Sequence, residues 1–420
     1  MLDFRDREDQ KQMKKTLTRR HALQIATAAA AVGFVGCRAQ LLQTGAQMFN
    51  GTRALLTQPI HVPADFVGMH FHRWPEGNPL SPAPTYGYGG VRSHDYSGLR
   101  GGICWYRVHQ GPNTFDWSEM DVWIKTHASH NKTIIYTIYG TPAWITSSTA
   151  HRDPYGMPGG TEAPKNLGAL QEFIHAVVTR YNSQRAQIQF LEIWNEPHFE
   201  KDYAGFWTGT ASQLAAMGRT IYQTAKSADP NISILTPGFT RAADAGLTAG
   251  FNLTSPSPAA AQASSLYQYM IASDGAGGTG GKWCDAVAYH CYNGQIQSAT
   301  MGLEGEALLL KKLLGQMGLQ YPIYMTEFGF LPNSAFTNYS IADKAMTLRR
   351  YAAVIASLGI QGMYFYAHDN PLDGNPSVNP PVAQAINDIN QKIAGNTLKQ
   401  VTILSNGTYK IQTAREEFIW

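Results

Sequence analysis

Two glutamates stand at the ends of apolar, β-rich runs that lie far apart in the chain. Glu196 follows the run in QIQFLEIWNEPHFE (Gln187 to Glu200), and Glu327 closes Ile323–Glu327, IYMTE. An amide and a carboxylate carried out of a buried run at Asn195 and Glu196, then halted by Pro197, are costly unless the edge of the core uses them. If the two runs are strands four and seven of one closed parallel barrel, the glutamates face each other across its mouth. Two carboxyls roughly 5 Å apart across a sugar perform glycoside hydrolysis with retention: one protonates the leaving oxygen and the other attacks the anomeric carbon. Repulsion within such a pair is expected to raise the pKa of the acid partner.

The elements that must hold this pair follow from periodicity. From about residue 64 the chain alternates short β-rich runs with helical patterns, the mark of βα units around a parallel sheet. The expected strands are Phe66–His72, Gly102–His109, Lys132–Tyr139, Gln189–Asn195, Ile232–Thr236, Asp285–Tyr292, Ile323–Glu327 and Gly362–Tyr366. Helices are expected at Ser118–Ser129, Asn166–Asn182, Ser212–Ala228, Ala261–Ser273, Leu303–Met317, Ile341–Ser357 and Val382–Ala394, with a weaker first one within residues 81–100. Asp229-Pro230, Gly318 and Gly359 supply helix stops. Eight strands with interleaved helices make an α/β fold, a (β/α)8 TIM barrel, the economical topology. A doubly wound open sheet is the alternative, but no glycine-rich phosphate turn follows the first strand.

Strand parity suggests what faces inward. Ala286, Ala288, His290 and Tyr292 share one face, small at the start and polar at the carboxyl end, and the same progression is expected along Ile323, Met325, Glu327 and along Ile103, Trp105, Arg107, His109. Thr240 to Ala260 and the glycine-rich Asp274–Gly281 are connections that could rim a cleft. The tail from residue 399 carries Asn406-Gly407 between alternating runs, a short C-terminal β-hairpin expected to pack on a barrel spanning 61–398.

Charge narrows the partners. The formal net charge is +3, and residues 1–20, with seven Lys/Arg and four Asp/Glu, already account for it. The remainder is balanced, which gives no footprint for nucleic acid. Residues 1–60 read as an export signal and linker. Arg19-Arg20 before the apolar run Ala22–Gly36 resembles a twin-arginine signal, and Phe34-Val35-Gly36-Cys37 resembles a lipoprotein cleavage box with Cys37 as a lipid anchor. A bacterial exported protein, periplasmic or membrane-anchored, is the expectation, and a monomer. Cys104, Cys284 and Cys291 are expected as buried apolar fillers, since seven residues of extended chain hold the last two too far apart for a disulfide.

The motifs resemble a known group. Trp194-Asn195-Glu196-Pro197, Tyr321–Gly329 (YPIYMTEFG) and Gly140-Thr141-Pro142-Ala143-Trp144 are similar to the strand-four, strand-seven and strand-three signatures of clan A glycoside hydrolases. Within that clan the chain most resembles family 39 and the exopolysaccharide-cleaving hydrolases of biofilm loci, with family 5 as a neighbour. The resemblance implies an exported, retaining β-glycosidase acting on a polysaccharide or oligosaccharide without metal or organic cofactor. It implies Glu196 as acid/base, Glu327 as nucleophile, Asn195 on the sugar 2-hydroxyl, and Arg107 beside the nucleophile. It further implies His290 and Tyr292 as strand-six helpers and Trp144 as a sugar platform. His70 and His72 end strand one and could bond the sugar. Strand eight lacks the clan's tryptophan, so Tyr366 or His368 must replace it, or the subsite is built differently.

Duller roles exist for the same residues. Glu192 with Arg107 could be a core ion pair, and strand-end histidines can be hydrogen-bonded scaffold. His70 and His72 could seat a metal, but the sequence positions no third ligand. Trp74, Tyr86, Tyr88, Tyr155 and Trp207 could line a cleft or be core. A non-catalytic glycan-binding barrel and a transglycosylase are the rival functions.

Overall fold

The computed structural model describes residues 52–75, 83–96, 102–199, 205–240, 264–292, 303–330, 339–369 and 374–420. The twin-arginine segment and Cys37 lie outside the described residues, as does most of the Thr240–Ala260 connection. Among the described residues no helix is long and apolar enough to cross a membrane.

Eight parallel strands close on themselves. They are β1 (Val67–His70), β2 (Gly90–Ser93), β3 (Thr133–Thr137), β4 (Phe190–Glu192), β5 (Ser233–Leu235), β6 (Val287–Cys291), β7 (Ile323–Phe328) and β8 (Gly362–Phe365). Each pairs with the next in sequence, and β8 returns to β1 through Met363 opposite Val67. The β5–β6 seam is made in two steps: Leu235 bridges Ala286, and a further piece, Phe239–Thr240, pairs with Tyr289 and His290. A closed parallel sheet has both faces covered, so its strands read as continuous apolar runs. β3, TIIYT, is one of them.

Helices α1 (Ser118–Ser129), α2 (Gly168–Asn182), α3 (Ala211–Ala228), α4 (Ser265–Ile271), α5 (Leu303–Gln316), α6 (Ile341–Ser357) and α7 (Pro380–Lys392) surround the barrel. Their starts are legible as chemistry. Thr210 with Gln213 and Ser340 with Asp343 form capping boxes that satisfy N–H groups left open at the first turns of α3 and α6.

The second strand is not where the sequence suggested. Gly102–His109 forms instead a helical turn at Trp105–Val108 followed by a two-stranded ribbon, and the strand is Gly90–Ser93, inside the segment expected to hold the weak first helix. Apolar content is the reason for the difference. Trp105 and Val108 are buried, but against the outside of the barrel, Trp105 stacking on Phe173 of α2. GVRS carries one large apolar side chain, too few to register as a strand.

Parity held in β6 and failed in β7. Ala286 and Ala288 belong to a small inner cluster with Ile135, Leu235 and Tyr364, while Val287, Tyr289 and Cys291 join the outer core beneath the helices. In β7 Ile323 and Met325 face outward, and Tyr324 packs on the inner cluster. Glu327 nevertheless pairs with His290, because the register slips after Met325, where Thr326 is extra. Such bulges re-aim a side chain next to a functional site.

The C-terminal segment is more than a hairpin. Thr397–Ile403, Tyr409–Thr413 and Glu417–Ile419 form an antiparallel meander turning at Asn406-Gly407, and Arg53–Ala54 and Ile60–His61 pair with its first strand. Residues expected to be linker are therefore part of this sheet. It packs on the helices: Lys392 lies over the Phe418 ring and Arg350 over Tyr409. Cys104, Cys284 and Cys291 are buried thiols.

Candidate active site

The carboxyl ends of β2, β4 and β7 converge on one buried guanidinium. Arg92 Nη1 donates to Glu327 Oε2 at 2.7 Å, Nη2 donates to Glu192 Oε2 and Asn195 Oδ1, each at 2.7 Å, and Nε donates to Glu192 Oε2 at 2.9 Å. Thr137 and Thr326 also donate to Glu192. Burial opposes the charge on Arg92, but Glu192 and Glu327 outweigh it and hold the guanidinium firmly protonated. Arg92 thus occupies the place expected for Arg107, which is exposed on the helical turn outside the barrel. The Glu192–Arg107 pair is likewise replaced by Glu192–Arg92. Because its carbonyl oxygen is taken by Arg92, Asn195 has its amide N–H groups left to donate.

Glu327 receives a second donor on its other oxygen, the Tyr292 hydroxyl. His290 Nδ1 lies between the two glutamates, 2.7 Å from Glu196 Oε1 and 3.3 Å from Glu327 Oε2. One oxygen from each glutamate and this nitrogen all lie within 4.8 Å of one another. That is the spacing of the retaining arrangement, well short of the roughly 6.5–9.5 Å of inverting pairs.

Burial would raise the Glu196 carboxyl, but the His290 hydrogen bond and charge, helped by Thr240 and His198, outweigh it and leave Glu196 below its usual value. This reverses the expected direction: in the unliganded arrangement His290, more than carboxylate repulsion, sets Glu196.

Local backbone fixes these positions. Glu196 has φ of +42°, a left-handed conformation rare for a side chain of its kind, and its N–H donates to Gly238 O at 2.9 Å. Such a conformation costs on the order of 1–3 kcal/mol and persists only where its surroundings impose it. Gly238 is itself constrained: a Cβ there would stand 2.4 Å from His290 Nε2 and 2.8 Å from Glu192 Oε1.

A second cluster occupies the other half of the mouth, at the ends of β1, β2 and β8. His70 Nε2 lies 2.6 Å from Asp95 Oδ1, the Tyr155 hydroxyl donates to Asp95 Oδ2 at 3.0 Å, and His94 Nε2 meets that hydroxyl at 2.8 Å. His72 Nδ1 faces Asp369 Oδ1 at 3.2 Å, and its Nε2 faces the Tyr366 hydroxyl at 2.9 Å and Asp95 Oδ2 at 3.4 Å. Burial alone would lower His72, but Asp95 and Asp369 outweigh it and raise its pKa to about 10. His72 is an imidazolium at neutral pH. Burial keeps His70 and His94 below their ordinary value, and therefore neutral.

Two trios, His70–His72–Asp95 and Glu196–His290–Glu327, have the donor types of a metal site. In both, hydrogen bonds between the members already use the donor atoms, and 2.6 Å between His70 Nε2 and Asp95 Oδ1 is room for a proton rather than an ion.

Of the residues expected in the site, Glu196, Glu327, Asn195, His290, Tyr292, His70, His72 and Tyr366 are brought together. His368 is turned away, bonded to the Tyr86 hydroxyl at 2.6 Å beside Phe71. Trp144 leans outward on the ribbon, its Nε1 donating to His109 O at 3.1 Å. Among the suggested cleft aromatics Tyr155 reaches the mouth, while Trp74, Tyr86, Tyr88 and Trp207 pack in the core. Arg92, Asp95 and Asp369 were missed. The available signal was GGVRSHD, where polar residues follow a short run, as they do after β4.

No family model matches the sequence, and no curated protein matches it. Solved structures do resemble it. A glucosidase from Croceicoccus marinus superposes with a TM-score of 0.55 at 13% identity, covering 86% of this chain and 74% of that one. A GH39 β-xylosidase from Caulobacter crescentus gives 0.55 at 15% identity, covering 87% and 78%. The catalytic domain of GH30 xylanase C from Talaromyces cellulolyticus gives 0.51 at 13%, covering 86% of each chain. At these identities the likeness shows the fold, a (β/α)8 barrel of the type that these glycoside hydrolases share.

Proposed function

We propose that the protein is a glycoside hydrolase of the clan A type, working with retention on a β-linked oligosaccharide or polysaccharide. The observation that carries this reading is the pair Glu196 and Glu327, with carboxylate oxygens within 4.8 Å at the mouth of the barrel. The glucosidase, xylosidase and xylanase activities of the structural neighbours support it.

In the first step a Glu327 oxygen attacks the anomeric carbon, the glycosidic C–O bond breaks, and the leaving oxygen takes a proton from Glu196. Water then attacks the same carbon, Glu196 takes its proton, and the ester bond returns its electrons to Glu327. Arg92 and the Tyr292 hydroxyl favour the ionised form of Glu327 before attack and receive the charge again on release. Glu196 must be protonated to act as the acid, so His290 has to yield its hydrogen bond when the glycosidic oxygen arrives. The free amide N–H groups of Asn195 suit a sugar 2-hydroxyl.

Following the product anomer by NMR during cleavage of a β-glycan tests the reading: first-formed β anomer is expected, and first-formed α anomer would sink it. The leader containing Arg19-Arg20 and Cys37 supports an exported, lipid-anchored protein, which fractionation of cells expressing the wild type and Cys37→Ala would check.

A further inference from the structure

Tyr155, Tyr292 and Tyr366 bring hydroxyls to the mouth, and the first and second of these have their hydrogens committed. Tyr292 donates to Glu327, and Tyr155 donates to Asp95 Oδ2 at 3.0 Å while His94 Nε2 meets its oxygen at 2.8 Å. Tyr366, just past the end of β8, differs. Its hydroxyl has one hydrogen-bond partner among the described residues, His72 Nε2 at 2.9 Å. Which of the two donates depends on where the protons of His72 sit.

Nδ1 of His72 faces Asp369 Oδ1 at 3.2 Å. The Asp369 carboxyl also accepts the backbone N–H groups of His72, Arg73 and Trp74, at 2.9, 2.8 and 3.2 Å, and a carboxyl with that many donors on it is ionised. Two acceptors cannot share a hydrogen bond, so Nδ1 carries a proton. On the other side of the ring Nε2 has Asp95 Oδ2 at 3.4 Å. Burial would raise the Asp95 carboxyl, but the surrounding imidazoles and the His70 hydrogen bond outweigh it and hold Asp95 well below the usual carboxylate range. With a carboxylate oxygen near each nitrogen, His72 keeps protons on both, in line with its pKa of about 10. An imidazolium has no lone pair to offer, so the Tyr366 hydroxyl can accept from Nε2 but cannot donate to it.

The Tyr366 hydrogen is thereby turned away from His72, and the phenol keeps it. Burial pushes the phenol well above its ordinary value, and Asp95, Glu327 and Glu196 push the same way. Those carboxylates belong to both halves of the mouth, so the hydroxyl stands between them. The Tyr366 ring meets the ring of Tyr292, which is bonded to Glu327, edge-on at 6.4 Å, and lies 4.7 Å from the ring of His70. A donor held this way favours a ligand that accepts from it and penalises one that cannot. Resting on the hydrolase reading above, we propose that Tyr366 is a substrate-binding residue of fixed polarity: its hydroxyl donates to one hydroxyl oxygen of the sugar that reacts with Glu327, and sugars without an oxygen at that position are selected against.

The test has a spectroscopic arm and a kinetic one. Protein carrying nitrogen-15 histidine is examined by NMR at neutral pH, the His72 signals being assigned by their loss in His72→Gln and their shift in Tyr366→Phe. Both ring nitrogens of His72 are expected to be protonated, and a bare Nε2 overturns the proposal whatever the kinetics show. Wild type and Tyr366→Phe are then assayed on aryl β-glycosides of glucose, galactose, xylose and N-acetylglucosamine, and on the monodeoxy versions of the best of them. Phenylalanine keeps the ring, so a role in stacking alone would leave the rate unmoved. Tyr366→Phe is expected to lower kcat/KM on the parent glycoside at least about tenfold with circular dichroism unchanged, and to cost no more than about twofold on one monodeoxy glycoside, whose missing hydroxyl identifies the acceptor. A loss below about threefold on the parent overturns the proposal, while cleavage by wild type leaves the hydrolase reading standing. The same loss on every monodeoxy glycoside also overturns it, because the hydroxyl then serves the protein rather than a sugar hydroxyl. No cleavage of any glycoside by wild type, with His72 doubly protonated, sinks the hydrolase reading and removes the sugar assignment with it.

Discussion

The two halves of the barrel mouth use the same residue types to opposite ends. On the β4, β6 and β7 side, His290 is shared between two glutamates at 2.7 and 3.3 Å, an arrangement in which a proton can change owner. On the β1, β2 and β8 side, His72 is bracketed by two aspartates and a tyrosine, and its pKa is lifted to about 10. One half is suited to moving protons and the other to holding them still. The difference lies in the fixed partners around each imidazole: His72, 18% exposed, is held by three, and His290, fully buried, by two.

Substitutions can break or sharpen this contrast. Glu327→Gln is expected to lower kcat on the order of 10⁴-fold or more with the fold retained, read on an activated aryl β-glycoside and by circular dichroism. Arg92→Met should destabilise by roughly 3–5 kcal/mol, because it leaves Glu192 buried without its cation, whereas Arg107→Ala on the exposed turn should stay within about 0.5 kcal/mol. Urea unfolding of the two variants separates these outcomes.

His72→Gln probes the static half. Because the folded pKa is raised from 6.5 to about 10, the stabilisation from charged His72 is full below the unfolded value, declines between the two, and is lost above about 10. The variant should therefore lose roughly 3 kcal/mol at pH 6 and converge on wild type near pH 10, as followed by melting temperature.

His290→Gln probes the mobile half. It removes the main influence lowering Glu196, so the carboxyl rises and the basic limb of kcat/KM against pH moves to higher pH. A limb that stays in place would remove Glu196 from the acid role. Gly238→Ala should act more weakly in the same direction by displacing His290.

Much of the mobile half was legible in the sequence, as were His70, His72 and Tyr366 of the static half, whereas Arg92, Asp95 and Asp369 were not, for physical reasons. β4 and β6 carry long apolar runs, so their ends could be located and Asn195, Glu196, His290 and Tyr292 read off them. β7 was located to within one residue, ending at Phe328 rather than Glu327, although its parity was misjudged. A bulge at Thr326 leaves no trace in hydrophobic periodicity. β2 is short and holds Val91 as its single large apolar residue, since Gly89 and Gly90 pack against Asp65 and the Tyr364 ring. A neighbouring stretch richer in aromatics imitated the strand better than the strand did, and Arg92 and Asp95 were lost with it. Asp369 could not be inferred from spacing, because its bonds run to the backbone of His72, Arg73 and Trp74 across the closure of the barrel.

The small sheet that joins Arg53–Ala54 and Ile60–His61 to Thr397–Ile403 gathers the beginning and end of the described chain at the foot of the barrel, where β1 starts and α7 finishes. A support attached rigidly at Arg53 or at Trp420 would therefore hold the barrel with its reactive opening turned outward, free to meet a long polymer.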